Sequence, residues 1–334
     1  MARLTLMPNG VTGSFPRSGP LAEPPSKRGK VNGWSRQATA RLRRWFYGVD
    51  GDALDGRGFA LTLTIRDLPA TAEEWTKTRE RFMARLRRLG LIRGQWLTEW
   101  QRRGVPHLHG IVYFPRESKV GREEVIAHWR AAAAEFAPGE SAQHVKPVWG
   151  IRGWLQYQAK HSARGVAHYQ RASVPEAWQE GTGRLWGAVG DWPTREEVIE
   201  VAPAEYHRFR RLLRNWLIAG ARQRGDTHRA AFLRRMLADP ERKRAAVRAV
   251  GEFCPEEVSR RLLEAAQFRH RPGEFVDIET GEVVSGFAVL YRDSVVRLDD
   301  QAPLIDRSTP QAVGSVRNLQ THILRQVAYT SVEQ

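Results

Sequence analysis

Residues 95 to 114 read Gln-Trp-Leu-Thr-Glu-Trp-Gln-Arg-Arg-Gly-Val-Pro-His-Leu-His-Gly-Ile-Val-Tyr-Phe, a pattern that predicts a β-hairpin. Both arms mix β-branched, aromatic and leucine residues, and a polar turn around Gly104 separates them. Because strand side chains alternate between two faces, His107 and His109 project from one face. A tight turn places Glu99 roughly opposite His109, and an even register puts its carboxylate on the histidine face.

Two imidazoles and one carboxylate on a single sheet face can hold a divalent metal and leave coordination positions open. A His-x-His pair on a strand is also common without any ligand, so a purely structural role for these histidines stays open. A glutamate in cross-strand register adds weight to the metal-site interpretation. The rest of the chain must decide between the two.

The composition narrows the classes of protein that fit. The chain has 334 residues, enough for two domains, and 41% of them are hydrophobic, enough for a core. Its 53 Lys and Arg residues exceed 37 acids, and a formal net charge of +16 favours a nucleic-acid partner. We find no apolar run of transmembrane length and no signal-peptide pattern. The single cysteine, Cys254, is expected to be half-buried and structural, which fits a cytoplasmic, intracellular protein.

Three regions are expected along the chain. Residues 1–30 are rich in Pro, Gly, Ser and basic residues without periodicity, which predicts a flexible basic arm. Residues 31–195 hold the hairpin and the elements predicted around it. Residues 196–334 have no tryptophan after Trp216, and they are expected to form a basic, mainly helical region with a DNA-binding or accessory role. Within that region, residues 274 to 298 predict a second hairpin.

The elements of the middle region follow a recognisable order. They are a strand at 58–65, a helix at 72–89, the hairpin strands at 92–100 and 107–114, a helix at 122–137 and a strand at 143–149. This βαββαβ order is the split βαβ or ferredoxin-like arrangement, an α+β fold whose antiparallel sheet has helices on one face and leaves the other for a site. A further helix from Ile151 to His161 puts Tyr157 and Lys160 on one side, which keeps Tyr157 near the sheet without burying it.

Several aromatic and glycine-rich positions are candidates for contact with a nucleic-acid strand. The glycines of residues 181–193 allow close backbone approach to a phosphate, and Arg184 and Trp186 can pair with and stack on a strand. A plain turn-rich loop fits this segment equally well. Tyr157 alone also fits a half-buried aromatic with a hydrated hydroxyl. The other candidate stacking residues are Trp100, Trp149 and Trp154, of which Trp154 fits core packing better.

Taken together, these features resemble the HUH endonuclease superfamily, and most of all its single-tyrosine rolling-circle replication initiators of plasmids and small phages. Four segments carry the resemblance: Phe59-Ala-Leu-Thr-Leu-Thr64, Glu99 with Gly104-Val-Pro-His-Leu-His-Gly110, Tyr157-Gln-Ala-Lys160, and Gly183-Arg-Leu-Trp-Gly187. The likeness covers about residues 30 to 193. Because only one tyrosine is suitably placed, it implies a single-tyrosine mechanism.

The resemblance implies a chemistry for these residues. Glu99, His107 and His109 would bind Mg²⁺ or Mn²⁺. Tyr157 would be the nucleophile, and Lys160 would favour its phenolate. The protein would nick and rejoin single-stranded DNA at a replication origin through a 5′-phosphotyrosine and leave a 3′-OH primer. A host helicase and polymerase are the expected partners, with no role for a membrane.

Arg164, Arg184 and Trp186 are the side chains expected to contact the DNA. Two alternatives to an initiator remain open. One is a relaxase or single-strand transposase of the same superfamily, which would share the fold and chemistry, although the Gly183 to Gly187 segment and the long basic C-terminal region favour an initiator. The other is a non-catalytic DNA-binding protein with structural histidines, which would bind DNA and leave no covalent adduct.

Overall fold

The chain divides into two compact units. We call Gly19–Arg195 the histidine unit, and Met1–Ser18 together with Glu196–Gln334 the terminal unit. The computed structural model describes residues 1–14, 30–148, 153, 157, 161, 164–238, 249–267, 269–276, 283–291 and 294–297. Within these residues no helix is long and apolar enough to cross a membrane.

The helices and strands of the described residues are numbered along the chain. The helices are α1 (Arg36–Gly48), α2 (Ala72–Arg88), α3 (Arg122–Ala132), α4 (Tyr169–Ala172), α5 (Pro203–Gln223), α6 (Thr227–Ala238) and α7 (Glu256–Gln267). The strands are β1 (Ala2–Met7), β2 (Gly10–Ser14), β3 (Arg57–Thr64), β4 (Arg93–Trp100), β5 (Pro106–Phe114), β6 (His144–Val148), β7 (Trp186–Gly190), β8 (Glu197–Val201), β9 (Ala249–Phe253), β10 (Arg269–Val276), β11 (Val283–Tyr291) and β12 (Ser294–Arg297).

The sheet of the histidine unit has the strand order β6-β3-β5-β4-β7, and all neighbouring strands are antiparallel. From β3 to β6 the chain runs β-α-β-β-α-β, and the sheet order of these four strands is that of the split βαβ fold. The predicted α+β, ferredoxin-like fold is therefore confirmed. β7 extends the sheet beyond β4 by one edge strand.

Helices α2 and α3 pack on one face of this sheet. The predicted capping box is present at the start of α2. The rings of Trp75 and Phe82 on α2 pack edge-on against Trp129 on α3, with centroids 5.8 and 5.3 Å away. Nε1 of Trp75 donates to Oγ1 of Thr98 on β4 at 3.0 Å. Because Thr98 and Glu99 are adjacent on a strand, Glu99 points to the opposite face.

Residues 183 to 190 form the edge of the sheet, so the turn-rich loop considered for this segment is replaced by a strand over part of its length. The backbone N–H of Thr98 donates to the carbonyl of Leu185 at 2.7 Å, and β7 pairs with β4 beyond it. At Gly187 an added Cβ would lie 2.9 Å from Cζ2 of Trp96. Close packing against the indole of Trp96 therefore explains the glycine at position 187.

The predicted flexible arm is wrong for residues 1 to 14. β1 and β2 form an antiparallel hairpin with Pro8 and Asn9 at the turn, and most of their residues are buried. β1 also pairs with β8, and β2 with β9, giving the sheet order β8-β1-β2-β9. The Pro- and Gly-rich composition concealed this hairpin, because the strands that complete its sheet come from distant parts of the chain. The rest of the predicted arm, residues 15–29, lies outside the described residues.

The C-terminal part of the terminal unit is mixed in structure and not mainly helical as predicted. Its described residues contain α5, α6 and α7 together with β8 to β12. Tyr206, Phe209 and Leu262 from these helices share a buried core with Leu4 of β1. Cys254 is fully buried in the same core, deeper than expected. β10, β11 and β12 form a separate antiparallel sheet where a hairpin was predicted.

Candidate metal and nucleophile site

The hairpin register places three candidate ligands on the open face of the histidine unit's sheet. Glu99 on β4 lies directly opposite His107 on β5, and Leu97 lies opposite His109. The expected facing pair of Glu99 and His109 is thus shifted by two residues. An even shift leaves the face unchanged, so all three side chains still share one side of the sheet, as predicted.

The ligand atoms of Glu99, His107 and His109 converge to within 4.8 Å of one another, and all three residues are buried. Nε2 of His109 lies 3.2 Å from Nε2 of His107 and 3.5 Å from Oε2 of Glu99. Two imidazole nitrogens and one carboxylate oxygen suit a divalent transition metal. The donor set therefore fits the metal that the HUH-type site requires.

Neighbouring polar side chains orient the two imidazoles. Oγ1 of Thr62, on β3, lies 3.1 Å from Nδ1 of His109. With Nδ1 engaged in this way, Nε2 is the atom of His109 that faces the cluster. The amide Nε2 of Gln170, which follows Tyr169 on α4, lies 3.3 Å from Nε2 of His107. Partners of this kind fix the ring orientation of metal-binding histidines.

The carboxylate of Glu99 is held in its charged form. Burial acts to raise the pKa of Glu99, but the hydrogen bond and charge of His161 and the charges of Arg164 and Arg171 act more strongly in the other direction, and the pKa is lowered. Arg171 Nε donates to Oε1 of Glu99 at 3.2 Å, and Arg164 forms an ion pair with Oε2. Glu99 is therefore an ionised carboxylate in a fully buried position.

Tyr157 lies beside this cluster, more deeply than the sequence predicted. Its backbone is helical, as are those of Gly153 and His161, and its side chain is only 9% exposed. The phenol donates to Oε1 of Gln95 on β4 at 3.4 Å. Burial, followed by the charge of Glu99, raises the pKa of Tyr157 well above its ordinary value, so the hydroxyl is protonated here. The rest of the predicted helix, including Lys160 and Trp154, lies outside the described residues, as does Trp149.

Three side chains of the site were not predicted. His161 has its ring 4.5 Å from that of His109 and 4.7 Å from that of Tyr157. Its position four residues after Tyr157 was a readable signal, because such residues share a helix face. Gln170 and Arg171 belong to a short helix that no periodicity marks, so no local pattern pointed to them.

The expected DNA-contacting residues occupy different environments. Arg164 is mostly buried in its ion pair with Glu99, whereas Arg184 is exposed. Trp186 is half-buried, with its ring 6.4 Å from that of Trp45. Trp100 is fully buried in the core, so its predicted role as a stacking platform is wrong. For Arg164, Arg184 and Trp186 a contact with DNA stays a prediction.

The fold and the cluster together define a class of protein. An antiparallel βαββαβ sheet that carries Glu99, His107 and His109 on its open face has the α+β architecture and histidine-rich site of the HUH-type fold.

Comparison with known proteins identifies the family within this class. The family model for the replication-associated protein ORF2 and its phage counterparts matches residues 58–170, from β3 into α4. A protein of Xylella fastidiosa strain Temecula1, named as a replication protein, is 45% identical over 229 residues, which are 65% of this chain and 87% of that protein. A replication-associated protein of Pseudomonas phage Pf3 is 41% identical over 237 residues, which are 70% of this chain and 85% of the phage protein. No solved structure matches the chain significantly.

The chain therefore belongs to this ORF2-type family of replication-associated proteins. A further relative, from Xylella fastidiosa strain 9a5c and also named as a replication protein, is 43% identical over 244 residues. The resemblance to replication initiators is thereby confirmed.

Proposed function

We propose that the protein initiates replication by cutting one DNA strand in a metal-dependent reaction in which Tyr157 is the nucleophile. The observation that carries this proposal is the position of Tyr157. Its ring contacts that of His161, whose ring in turn contacts His109 of the ligand cluster. A phenol within one side chain of two imidazoles and a carboxylate is the geometry that attack on a metal-bound phosphate needs.

Glu99, His107 and His109 would hold the metal, either Mg²⁺ or Mn²⁺. The two imidazoles favour Mn²⁺, which accepts nitrogen ligands more readily than Mg²⁺. When bound, a divalent cation supplies positive charge to the oxygens of the scissile phosphate and to the phenol nearby. The residues' own part is to keep the carboxylate ionised and both imidazoles oriented through Thr62 and Gln170.

The proposed reaction exchanges one phosphate ester for another. The phenol oxygen of Tyr157 attacks the phosphorus in line with the 3′-oxygen, and the phenol loses its proton. The bond between phosphorus and the 3′-oxygen breaks, and that oxygen takes up a proton as a free 3′-OH. The new bond joins Tyr157 to the 5′-phosphate. Attack by a later 3′-OH releases the phenol and restores the phosphodiester, so no further energy source is required.

Burial of the site supports a single strand as substrate. Tyr157 and the three ligands are each less than 10% exposed, and a phosphate must come within reach of all four. A flexible single strand can bend into such a site, whereas a paired duplex is stiff. The proposed partners are single-stranded origin DNA, adjoining duplex bound by basic residues, and the host helicase and polymerase.

A nicking assay tests the proposal. The full-length protein is incubated with Mn²⁺ and single-stranded origin DNA that is labelled on the 3′ side of the expected cut. We expect a labelled protein band on a denaturing gel that is absent with Tyr157→Phe and with His109→Ala. Tyr169→Phe is the matched control, because Tyr169 is a nearby but 44% exposed tyrosine. An adduct that survives Tyr157→Phe would refute the proposed nucleophile.

One observation favours a second candidate, a DNA-binding protein without catalysis. Both oxygens of Glu99 are engaged by arginines, as in a purely structural network of buried charges. Such a protein would bind the same DNA but would form no adduct with Mn²⁺, and His109→Ala would leave its DNA affinity unchanged.

A further inference from the structure

Arg171 is a fully buried arginine that neither the sequence motifs nor the proposed chemistry involves. It lies on α4, one residue beyond the segment that the family model matches. A buried guanidinium is costly unless its N–H groups are hydrogen-bonded and its charge is paired. The partners of Arg171 therefore indicate what its burial achieves.

Arg171 ties three parts of the histidine unit together. Its Nε donates to Oε1 of Glu99 at 3.2 Å. Its Nη2 donates to the carbonyl of His161 at 2.8 Å, and its Nη1 to the carbonyl of Arg164 and, at 3.4 Å, to Oγ1 of Thr39 on α1. These donors connect a metal-ligand candidate on β4 with the segment that follows Tyr157.

The aromatic ring of Trp34 holds the guanidinium from a further direction. The centroid of this ring lies 4.3 Å from the guanidinium carbon of Arg171, a cation–π contact in the buried interior. Trp34 is itself fixed, because its Nε1 donates to the carbonyl of Thr98 at 2.9 Å. Arg171 is thus immobilised by contacts all around it, as a positioning residue must be.

Arg164 engages the other oxygen of Glu99 in a different way. It is paired with Oε2, the oxygen that lies 3.5 Å from Nε2 of His109 and so faces the ligand cluster. Its side chain is 13% exposed, against 0% for Arg171. A cation on the cluster-facing oxygen stands where the charge of a metal would act, and a partly exposed side chain can move away.

We infer that the two arginines on Glu99 have opposite roles. Arg171 is a positioning residue that fixes Oε1 of Glu99 and the segment after Tyr157 in one geometry. Arg164 is a competing cation that leaves Oε2 when the metal binds. This inference rests on the proposed function, because it assumes that Glu99, His107 and His109 bind a metal.

Titration of the full-length protein with Mn²⁺ alone, by calorimetry and without DNA, separates the two roles. Arg171→Lys keeps a positive charge but cannot keep the fork of hydrogen bonds, and we expect Mn²⁺ affinity to fall about tenfold. Arg164→Ala removes the competitor, and we expect Mn²⁺ to bind about threefold or more tightly. Unchanged affinity in Arg171→Lys, or weakened or unchanged affinity in Arg164→Ala, would overturn the corresponding role.

A kinetic measurement separates positioning from simple structural support. At saturating Mn²⁺ and DNA, we expect Arg171→Lys to lower the single-turnover rate of adduct formation about tenfold or more, because the nucleophile is misplaced. Arg79→Lys is the matched control. Arg79 is also buried, stacks on a tryptophan (Trp96, 3.6 Å) and donates to a backbone carbonyl, but it packs on the other face of the sheet. We expect Arg79→Lys to lower the melting temperature and leave Mn²⁺ affinity and adduct rate unchanged.

If Arg171→Lys fails to fold, Thr39→Val decides the question, because it keeps Arg171 and removes one acceptor. We expect a loss of Mn²⁺ affinity or adduct rate of about threefold, and wild-type behaviour would overturn the inference. The wild type distinguishes the two levels of the account. A wild type that binds no Mn²⁺ and forms no adduct refutes the proposed function, whereas an active wild type with unaffected variants refutes only the inference.

Discussion

The phenol of Tyr157 donates a hydrogen bond to the side-chain amide oxygen of Gln95 at 3.4 Å. Gln95 lies on β4 four residues before Glu99, and residues at even spacing on a strand share a face. The same strand therefore carries a metal-ligand candidate and the residue that holds the proposed nucleophile. Gln95 is almost fully buried, so this contact is not exchanged for one with water.

Gln95→Met should slow adduct formation without weakening the metal site. Methionine has a similar length but cannot accept the phenol's hydrogen bond, so Tyr157 would lose a fixed orientation. We expect the single-turnover rate at saturating Mn²⁺ to fall about 10- to 100-fold, with unchanged Mn²⁺ affinity by calorimetry. A parallel loss of metal affinity would show that Gln95 supports the cluster as a whole.

Glu99→Gln should strongly destabilise the protein. The change leaves the buried guanidinium of Arg171 without its counter-charge, which costs about 3–5 kcal/mol of unfolding free energy. Glu135→Gln is the control, because the ion pair of Glu135 with Arg81 lies on the surface and is worth about 1 kcal/mol or less. Urea unfolding curves compare the two. Equal effects of both changes would contradict the burial argument.

The pKa of Glu99 gives that stabilisation a direction with pH. The pKa of Glu99 is lowered in the folded chain, so the unfolded chain binds a proton at higher pH than the folded one does. The contribution is complete above the ordinary glutamate pKa of about 4.3 and is lost as the pH falls through the folded pKa. The stability difference between wild type and Glu99→Gln should therefore shrink in acid. A difference that grows as the pH falls below about 4.3 would reverse the sign of this argument.

Cys254 should resist thiol reagents in the folded protein. Burial raises the pKa of its thiol to about 12, and the thiolate is the reactive form. We expect no labelling by iodoacetamide at pH 8 unless a denaturant is added, as followed by intact-mass spectrometry. Rapid stoichiometric labelling of the native chain would mean that the core around Cys254 opens readily.

Gly187→Ala should destabilise the edge of the sheet. The new methyl group would lie 2.9 Å from Cζ2 of Trp96, whose ring is already covered by Arg79 and has no room to move. We expect a loss of about 1–3 kcal/mol in unfolding free energy. Gly181→Ala is the matched control, because a Cβ added at Gly181 would meet nothing within 4 Å among the described residues. A tolerated Gly187→Ala would show that β7 can shift away from β4.

The hairpin that carries the ligands was readable because its information is local. Alternation places His107 and His109 on one face, and any even register brings Glu99 to that face, so a two-residue error in the facing pair did no harm. The order of helices and strands then fixed the sheet topology.

Other parts of the site depend on contacts that no local pattern encodes. Arg164 and Arg171 reach Glu99 from a segment with little regular structure, more than sixty residues along the chain. The first hairpin was missed for the same reason, since β1 and β2 are completed by the distant strands β8 and β9. Burial of Tyr157 is also a product of packing, and residue spacing gave only its side of the helix.

The central claim is that Tyr157 becomes covalently joined to DNA, and peptide mapping of the adduct tests it most directly. The wild-type protein is reacted with Mn²⁺ and single-stranded origin DNA, then digested with nuclease and protease and analysed by mass spectrometry. The account predicts a nucleotide-5′-phosphate on the peptide that contains Tyr157, and none when the metal is chelated. A nucleotide on Tyr169 or another residue, or DNA that is bound but never joined, would contradict it.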